Sequence, residues 1–383
     1  MRTINILYSL IFVALLLALS LASLPNLLRF SAAAETSILN GKLTHAVEQH
    51  YDKGFAVKDL GTNVWAALEY GLFGEGRPGV VVGRDGWLFS NEEFKPAAKP
   101  GLIEDNWKLI GGVRDELRRR GIELQVVLLP AKARLYPEFI AGHKPAAQQQ
   151  ALYQRARQRL DDLGLPGPDL YRVLRQGKAQ GQVFLRTDSH WTPLGAELAA
   201  RAVADDLQRR KLWQGGALNY QTRRVGSETH RGDLMRFLPL DPYFAAMQPA
   251  AEPLEQRVTE QAGEGGGDLF GDSAPQVALV GTSYSANPKW NFPGALRQAL
   301  GADLYNYAED GHGPLVPMLR LLAGGEEETR GLKLVLWEVP ERYLTLASDF
   351  SEFDPQWLAQ LGAGQPPADR LAAKGSAKSL AAQ

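Results

Sequence analysis

Few residue types in this chain can do covalent chemistry. Its 383 residues include no cysteine, which excludes thiol catalysis, disulfides and Cys-ligated zinc. The six histidines stand at positions 45, 50, 143, 190, 230 and 312. His190 is the best placed, in Thr187-Asp188-Ser189-His190-Trp191. Asp188 can accept a hydrogen bond from the ring nitrogen of His190 that faces away from a substrate, fixing the tautomer and stabilising the imidazolium formed in turnover. A surface loop whose Asp and His merely cap the next helix is the alternative. Further along, Val277-Ala278-Leu279-Val280 reads as a buried strand running into Gly281-Thr282-Ser283-Tyr284-Ser285. Strand, glycine turn and serine together lift a hydroxyl above a strand end. Gly281 permits the sharp turn, the Ser283 N–H is available to an oxyanion, and Ser283 needs a base such as His190 to react at neutral pH. A plain Gly-Thr-Ser turn is again the alternative, and Ser285 is a competing nucleophile. His312 beside Asp310 forms a rival pair, and a metal site made by Asp188, His190 and His312 is a further reading, with two histidines at unrelated spacing as thin support.

These residues need a framework. Thr192 reads as an N-cap with Pro193 at the first helical position, opening an alanine-rich helix to about Lys211, and Gln182 to Leu185 reads as a short strand before the Asp-His loop. Helical spacing runs from Glu104 to Arg120 and from Pro145 to Leu163, with another helix from Pro293 to Leu300. Short apolar runs at Glu123–Leu129, Gln276–Val280, Leu304–Tyr307 and Leu332–Val339 read as buried strands. Val80 to Phe89 reads as a hairpin turning at Asp85-Gly86. Helices alternating with buried strands predict an α/β fold with a mostly parallel central sheet covered on both faces. Residues 213–274 lack periodicity and read as an irregular insertion, mobile at Gly263–Gly267, that covers the site.

The N-terminus predicts export. Arg2 precedes an almost wholly apolar stretch from Ile6 to Leu24, close to the roughly 20 residues that span a bilayer. Ala32-Ala33-Ala34 offers a cleavage site, but the length favours an uncleaved anchor with the remainder outside the cytoplasm. The expected organisation is a signal or membrane anchor over 1–30, a juxtamembrane linker over 31–76 with helix at Asn63–Tyr70, a compact domain over 77–353, and a disordered tail over 354–383. Lys plus Arg number 42 and Asp plus Glu 43, so no charge excess points to nucleic acid.

The motifs together resemble the SGNH-hydrolase-like domain of the alginate O-acetyltransferases. The resemblance runs from Gly83-Arg84-Asp85-Gly86-Trp87-Leu88-Phe89 through Pro130-Ala131-Lys132 and Tyr136-Pro137-Glu138 to Asp188-Ser189-His190-Trp191-Thr192-Pro193. It continues at Gly232-Asp233-Leu234, Gly281-Thr282-Ser283-Tyr284-Ser285 and Trp337-Glu338-Val339-Pro340-Glu341-Arg342. Of the family's architectures, the one without an additional carbohydrate-binding module after the catalytic domain fits this chain. The order of motifs is circularly permuted relative to ordinary SGNH hydrolases, because Asp188 and His190 precede Ser283. The nucleophile motif is also Gly-Thr-Ser rather than Gly-Asp-Ser, and no segment is assigned as the Asn-containing oxyanion block, which leaves the second and third oxyanion donors open.

The resemblance implies Ser283 as nucleophile, His190 as general base, Asp188 as its orienting carboxylate, and an acetyl-enzyme intermediate. Gly311 or Gly313 is the expected further oxyanion donor. Lys132, Tyr136, Tyr284, Trp290 and Arg342 are candidates for shaping a polysaccharide site, with Arg342 pairing to Glu338 or Glu341 as the structural alternative. No bound cofactor or metal is expected. Acetyl-CoA is cytoplasmic, so an exported transferase needs a membrane partner to supply the acetyl group, and the resemblance implies a membrane-bound O-acyltransferase alongside other exopolysaccharide acetylation proteins. The expected reaction is O-acetylation of an exopolysaccharide, alginate first, in the periplasm at the inner membrane. An acetyl-esterase with the same triad, or a non-catalytic polysaccharide-binding scaffold, is the competing expectation.

Overall fold

The computed structural model describes residues 2–31, 40–55, 57–262 and 274–364. They fall into two units, Met1–Arg77 with Arg236–Gln248, and Pro78–Met235 with Pro249–Gln383. In the first, the apolar N-terminus forms one helix, α1 (Arg2–Leu28), whose stretch Ile6–Leu28 is long and apolar enough to cross a bilayer. Helix α2 (Lys42–Lys53) is tied to the end of α1 by hydrogen bonds. Asn26 Nδ2 donates to the His50 carbonyl at 3.1 Å, His50 Nε2 lies 2.9 Å from the Asn26 carbonyl, and the Tyr51 hydroxyl donates to Ser23 Oγ at 3.1 Å. Helix α3 (Lys58–Leu68) continues as a π-turn over Glu69–Phe73. The segment expected as a linker is therefore largely helical where it is described. Ala32–Ala34 lies outside the described residues.

The second unit begins with strands β1 (Val80–Val82) and β2 (Leu88–Ser90), paired antiparallel. Asp85 and Gly86 take φ of 55° and 73° between them, the left-handed backbone that a tight hairpin turn requires. Then follow α4 (Leu102–Arg119), β3 (Glu123–Leu129), α5 (Lys132–Leu135), α6 (Ala147–Asp162), α7 (Leu170–Gly177) and α8 (Pro193–Arg209). Strands β4 (Tyr220–His230) and β5 (Glu252–Gln261) pair antiparallel. The chain continues through β6 (Val277–Val280), α9 (Ser283–Ala286), α10 (Phe292–Leu300), β7 (Leu304–Asn306), α11 (Leu315–Ala323), α12 (Gly325–Glu328), β8 (Leu334–Pro340) and α13 (Pro355–Gly362).

The central sheet has the order β3-β8-β6-β7 and every pair is parallel. Its inner strands are buried on both faces, so the pleat sorts neighbouring residues into two cores. Val127, Leu129, Val277, Leu279, Leu334 and Leu336 pack with α7, α8 and α10. Leu124, Val126, Leu128, Ala278, Val280, Val335 and Trp337 pack with α4, α6, α11 and α13. The mostly parallel, doubly covered sheet expected from the sequence is thus observed, and all four of its strands carry their carboxyl ends to one edge.

Three local expectations are corrected. Gln182–Leu185 does not join the sheet; the chain doubles back and Phe184 bridges Trp191 instead. The segment 213–274 is not wholly irregular, because it holds the β4–β5 pair. Most β4 side chains are exposed, so no apolar alternation marks the strand. The tail expected as disordered from 354 opens with α13, where Asp354 caps the Gln356 and Trp357 amides and Trp357 and Leu361 are buried against α4. Gly263–Gly267 and residues 365–383 lie outside the described residues.

Candidate active site

The loop between α7 and α8 is closed at its base by two backbone hydrogen bonds, Leu185 N–H to the His190 carbonyl at 3.1 Å and Thr192 N–H to the Val183 carbonyl at 3.0 Å. Its tip is clamped from three directions. The Lys132 ammonium, fully buried, donates to the carbonyls of Leu88, Arg186 and Asp188 at 2.5, 2.8 and 2.9 Å. The Glu252 carboxylate at the start of β5 accepts from the Arg186 and Thr187 amides, each at 2.7 Å, and from the Thr187 hydroxyl at 2.8 Å. The Asp233 carboxylate accepts from the Ser189 amide at 2.7 Å and its hydroxyl at 2.6 Å. Gly232 makes this close packing possible, since a Cβ there would lie 2.2 Å from the Thr187 carbonyl oxygen.

The second segment leaves β6 at Gly281 and enters α9 at Ser283. Glu338 of the neighbouring β8 accepts from the Thr282 amide at 2.8 Å and from the hydroxyls of Thr282 and Ser285 at 3.0 and 3.1 Å. A Cβ at Gly281 would sit 2.5 Å from a Glu338 carboxylate oxygen, so only glycine fits the turn. Ser285 Oγ is thereby engaged by Glu338, away from the histidine.

The loop and the turn meet at His190. Its Nε2 lies 2.7 Å from Ser283 Oγ and its Nδ1 lies 2.6 Å from Asp188 Oδ1, although 93 positions separate His190 from Ser283. Burial raises the Asp188 pKa, but hydrogen bonds from His190 and His230 outweigh it and hold the carboxyl well below its ordinary value. An ionised carboxylate only accepts, so Nδ1 of His190 carries a proton and Nε2 is left as the acceptor facing Ser283. All three side chains are buried. The Trp290 ring stacks on His190 with centroids 5.1 Å apart, and its indole N–H donates to the Ser283 carbonyl at 3.2 Å.

Sequence reasoning missed what holds Asp188. His230 Nε2, at the end of β4, lies 2.8 Å from Asp188 Oδ2, and the Asp233 amide donates to the same oxygen at 3.0 Å. His230 was visible as one of six histidines, and Asp233 within Gly232-Asp233-Leu234, but nothing local joins either to Asp188. Asp188, His190 and Asp233 also bring possible metal ligands within 4.8 Å of one another. Each of these atoms already has a hydrogen-bonding partner: Asp188 and His190 hold each other, and Asp233 holds Ser189.

The other sequence candidates fall differently. Tyr284 lies at the site, its ring 4.7 Å from His190 and its hydroxyl donating to the Ser189 carbonyl at 2.5 Å; burial raises its pKa well above the ordinary value. Lys132 is a loop clamp rather than an open contact, and burial lowers its pKa to about 8 against the charges of Glu93, Glu252, Asp188 and Asp233. Arg342 is buried with its guanidinium 5.6 Å from the Tyr284 ring centroid and its Nε 3.4 Å from the Glu92 carboxylate, while Glu341 pairs with Arg134 at 3.0 Å. Arg342 thus pairs with neither acid expected from the sequence. The Tyr136 hydroxyl accepts from the Val183 amide at 3.0 Å inside the core. Gly313 packs against the Tyr343 ring and Gly311 is exposed, and neither takes part in the hydrogen bonds of Ser283, His190 or Asp188 described above. His312 is half exposed with its nearest acidic partner Glu309 at 3.9 Å, so the Asp310–His312 pair is not formed.

The family model for the SGNH hydrolase-like domain of the acetyltransferase AlgX matches residues 80–341. The chain is 53% identical over 381 residues to a probable alginate O-acetylase AlgJ of Pseudomonas aeruginosa, covering 97% of each protein. It is 48% identical over 375 residues to the corresponding protein of Pseudomonas putida, again covering 97% of each. The solved O-acetyltransferase domain of Pseudomonas putida AlgJ superposes with a TM-score of 0.70 at 47% identity, covering 76% of this chain and all of that one. Pseudomonas aeruginosa AlgX gives a TM-score of 0.57 at 25% identity, covering 82% of this chain and 69% of that one. With its parallel sheet, its serine at a strand end and its Asp-x-His loop, the chain belongs to the SGNH hydrolase-like acetyltransferase family of AlgJ and AlgX, the alginate O-acetylases.

Proposed function

We propose that the chain acetylates hydroxyl groups of alginate outside the cytoplasm through a Ser283-His190-Asp188 triad and an acetyl-enzyme intermediate. The carrying observation is the continuous chain from Ser283 Oγ through both His190 nitrogens to Asp188. In the first half-reaction Ser283 Oγ attacks the acetyl carbonyl while His190 Nε2 takes its proton. Collapse of the tetrahedral intermediate breaks the bond to the donor's leaving group, which receives that proton. In the second, His190 takes the proton of a uronate hydroxyl, whose oxygen attacks acetyl-Ser283; the ester forms on the sugar and the proton returns to Ser283. The Ser283 amide, at the first position of α9 and so without an intrahelical acceptor, is one oxyanion donor. Asp188 remains ionised throughout and steadies the transient imidazolium.

Alginate as acceptor rests on the names of the relatives. The long apolar α1 supports a membrane-anchored, periplasmic enzyme, and that location supports a membrane-bound O-acyltransferase as acetyl donor with other alginate-modifying proteins as partners. The experiment is a pulse of an acetyl-ester donor with intact-mass readout, with and without oligouronate. One added acetyl group is expected on the native protein and none on Ser283→Ala, with acetyl appearing on the sugar. Hydrolysis at an unchanged rate with no acetylated sugar would make the protein an esterase. Acetylation of Ser283→Ala would remove the triad. Metal analysis of the same preparation tests the Asp188-His190-Asp233 cluster as a metal site.

A further inference from the structure

We propose that the outward face of α3 and the turn continuing it lies in the surface of the membrane that α1 enters, as a second, shallow lipid contact. The proposal rests on reading α1 as a membrane anchor. The sidedness of α3 is inverted for a helix in water. Asn63 is buried, its amide donating to the Pro239 carbonyl at 2.8 Å, with Ala66 and Ala67 buried beside it. Leu60, Val64, Trp65, Leu68, Leu72 and Phe73 instead stand between 40% and 71% exposed. Positions 60, 64, 68 and 72 recur every fourth residue, which on a helix makes one continuous apolar stripe, with the aromatic Trp65 and Phe73 alongside. Such a stripe on a protein surface marks a contact site.

The chain itself supplies the occupant. His50 and Tyr51 are hydrogen-bonded to Asn26 and Ser23 in the last turns of α1, which places the end of α2 where that helix leaves a bilayer. Lys58 follows Tyr51 by seven positions, so α3 starts within about 25 Å of that point even if the connection is fully extended. A lipid surface is therefore within reach whether or not any partner protein is present. The charges on and beside α3 carry no cationic excess: Lys53 and Lys58 stand against Asp52, Asp59 and Glu69, with Lys58 paired to Asp52 and Glu69 accepting the Trp65 indole N–H at 2.6 Å. The contact is therefore apolar rather than electrostatic, and it should be insensitive to salt and to anionic headgroups, with side chains entering about 5–10 Å below the headgroup level.

Because the chain has no cysteine, single labels can be placed at will. The full chain carrying Val64→Cys, Leu68→Cys or Leu72→Cys, each with an environment-sensitive fluorophore, is reconstituted in vesicles of phosphatidylcholine with or without phosphatidylglycerol. Expected are quenching by nitroxide placed shallowly in the acyl chains, weaker quenching by nitroxide at the bilayer centre, and no change between the lipid mixtures. Adding Leu68→Glu should relieve quenching at Leu72→Cys while hydrolysis of a soluble acetyl ester is unchanged. A label at Val13→Cys reports on α1. Quenching there from the bilayer centre with none at positions 64, 68 and 72 overturns the lipid contact and leaves the anchor standing. Lipid quenching on α3 without it at Val13 overturns the anchor and, with it, the proposal of a second contact beside the point where α1 enters the membrane. Labels on α3 shielded from aqueous iodide but untouched by lipid nitroxide mean that protein covers the stripe, and also overturn the proposal.

Discussion

Both oxygens of Asp188 are committed, Oδ1 to His190 and Oδ2 to His230 and the Asp233 amide. Two variants separate these roles. Asp188→Asn should lower acetyl-enzyme formation by about 10⁴-fold, because the amide no longer enforces the His190 tautomer. Its stability cost should depend on pH in a defined sense. The folded-state pKa of Asp188 is depressed, so the stabilisation is fully present above the unfolded value of about 3.9 and is lost as pH falls through the folded value. Denaturant titrations should therefore show a constant gap between native and Asp188→Asn from neutral pH to about 5, narrowing only below. His230→Ala leaves Oδ2 short of a donor at a buried carboxylate, a loss of about 1–3 kcal/mol in stability with kcat reduced and KM little changed. His230→Gln, whose amide can donate from a similar position, should recover most of both. At this scale the sequence was legible where one short motif held the residues that meet, as in Asp188-Ser189-His190 and Gly281-Thr282-Ser283. It was illegible for His230, Asp233, Glu252 and Glu338, which reach the site from separate segments. Lys132 and Arg342 showed as polar residues near the motifs, but only folding reveals that they are buried.

Elements matter here chiefly as supports for two short segments. The 230–233 turn fits against the Asp188 loop only because Gly232 has no side chain, and the group a Cβ would meet is backbone, which cannot swing aside. Gly232→Ala should therefore cost about 1–3 kcal/mol in a thermal or denaturant unfolding measurement and reduce acetyl transfer well beyond that loss of folded protein. An effect on stability alone would mean that the loop tolerates displacement. Most elements of the sheet and its helices were readable, because strands buried on both faces leave continuous apolar runs and Thr192-Pro193 is a strong helix start. The β4–β5 pair was not, since strands with mostly exposed side chains need no apolar alternation. Val183-Phe184-Leu185 misled for the opposite reason: a buried loop leaves the same apolar run as a buried strand.

At the scale of the whole chain, α1 predicts a simple fractionation. The full chain should remain with membranes after alkaline extraction, and a chain beginning after Leu28 should be released, while both hydrolyse a small acetyl ester at equal rates. Release of the full chain would show that α1 is not an anchor. The order of strands carries a separate consequence. The strand at the middle of the sheet, β8, is the last of the four along the chain, and it separates β3 from β6. During synthesis and export β3 and β6 must wait, with unpaired edges, for residues 334–340 to arrive. In the turn carrying Ser283, the Thr282 amide and the hydroxyls of Thr282 and Ser285 donate to Glu338 on that same late strand. A growing chain therefore cannot complete the hydrogen bonds of the Ser283 turn until β8 has emerged, and the same delay makes those waiting edges its period of greatest exposure to aggregation.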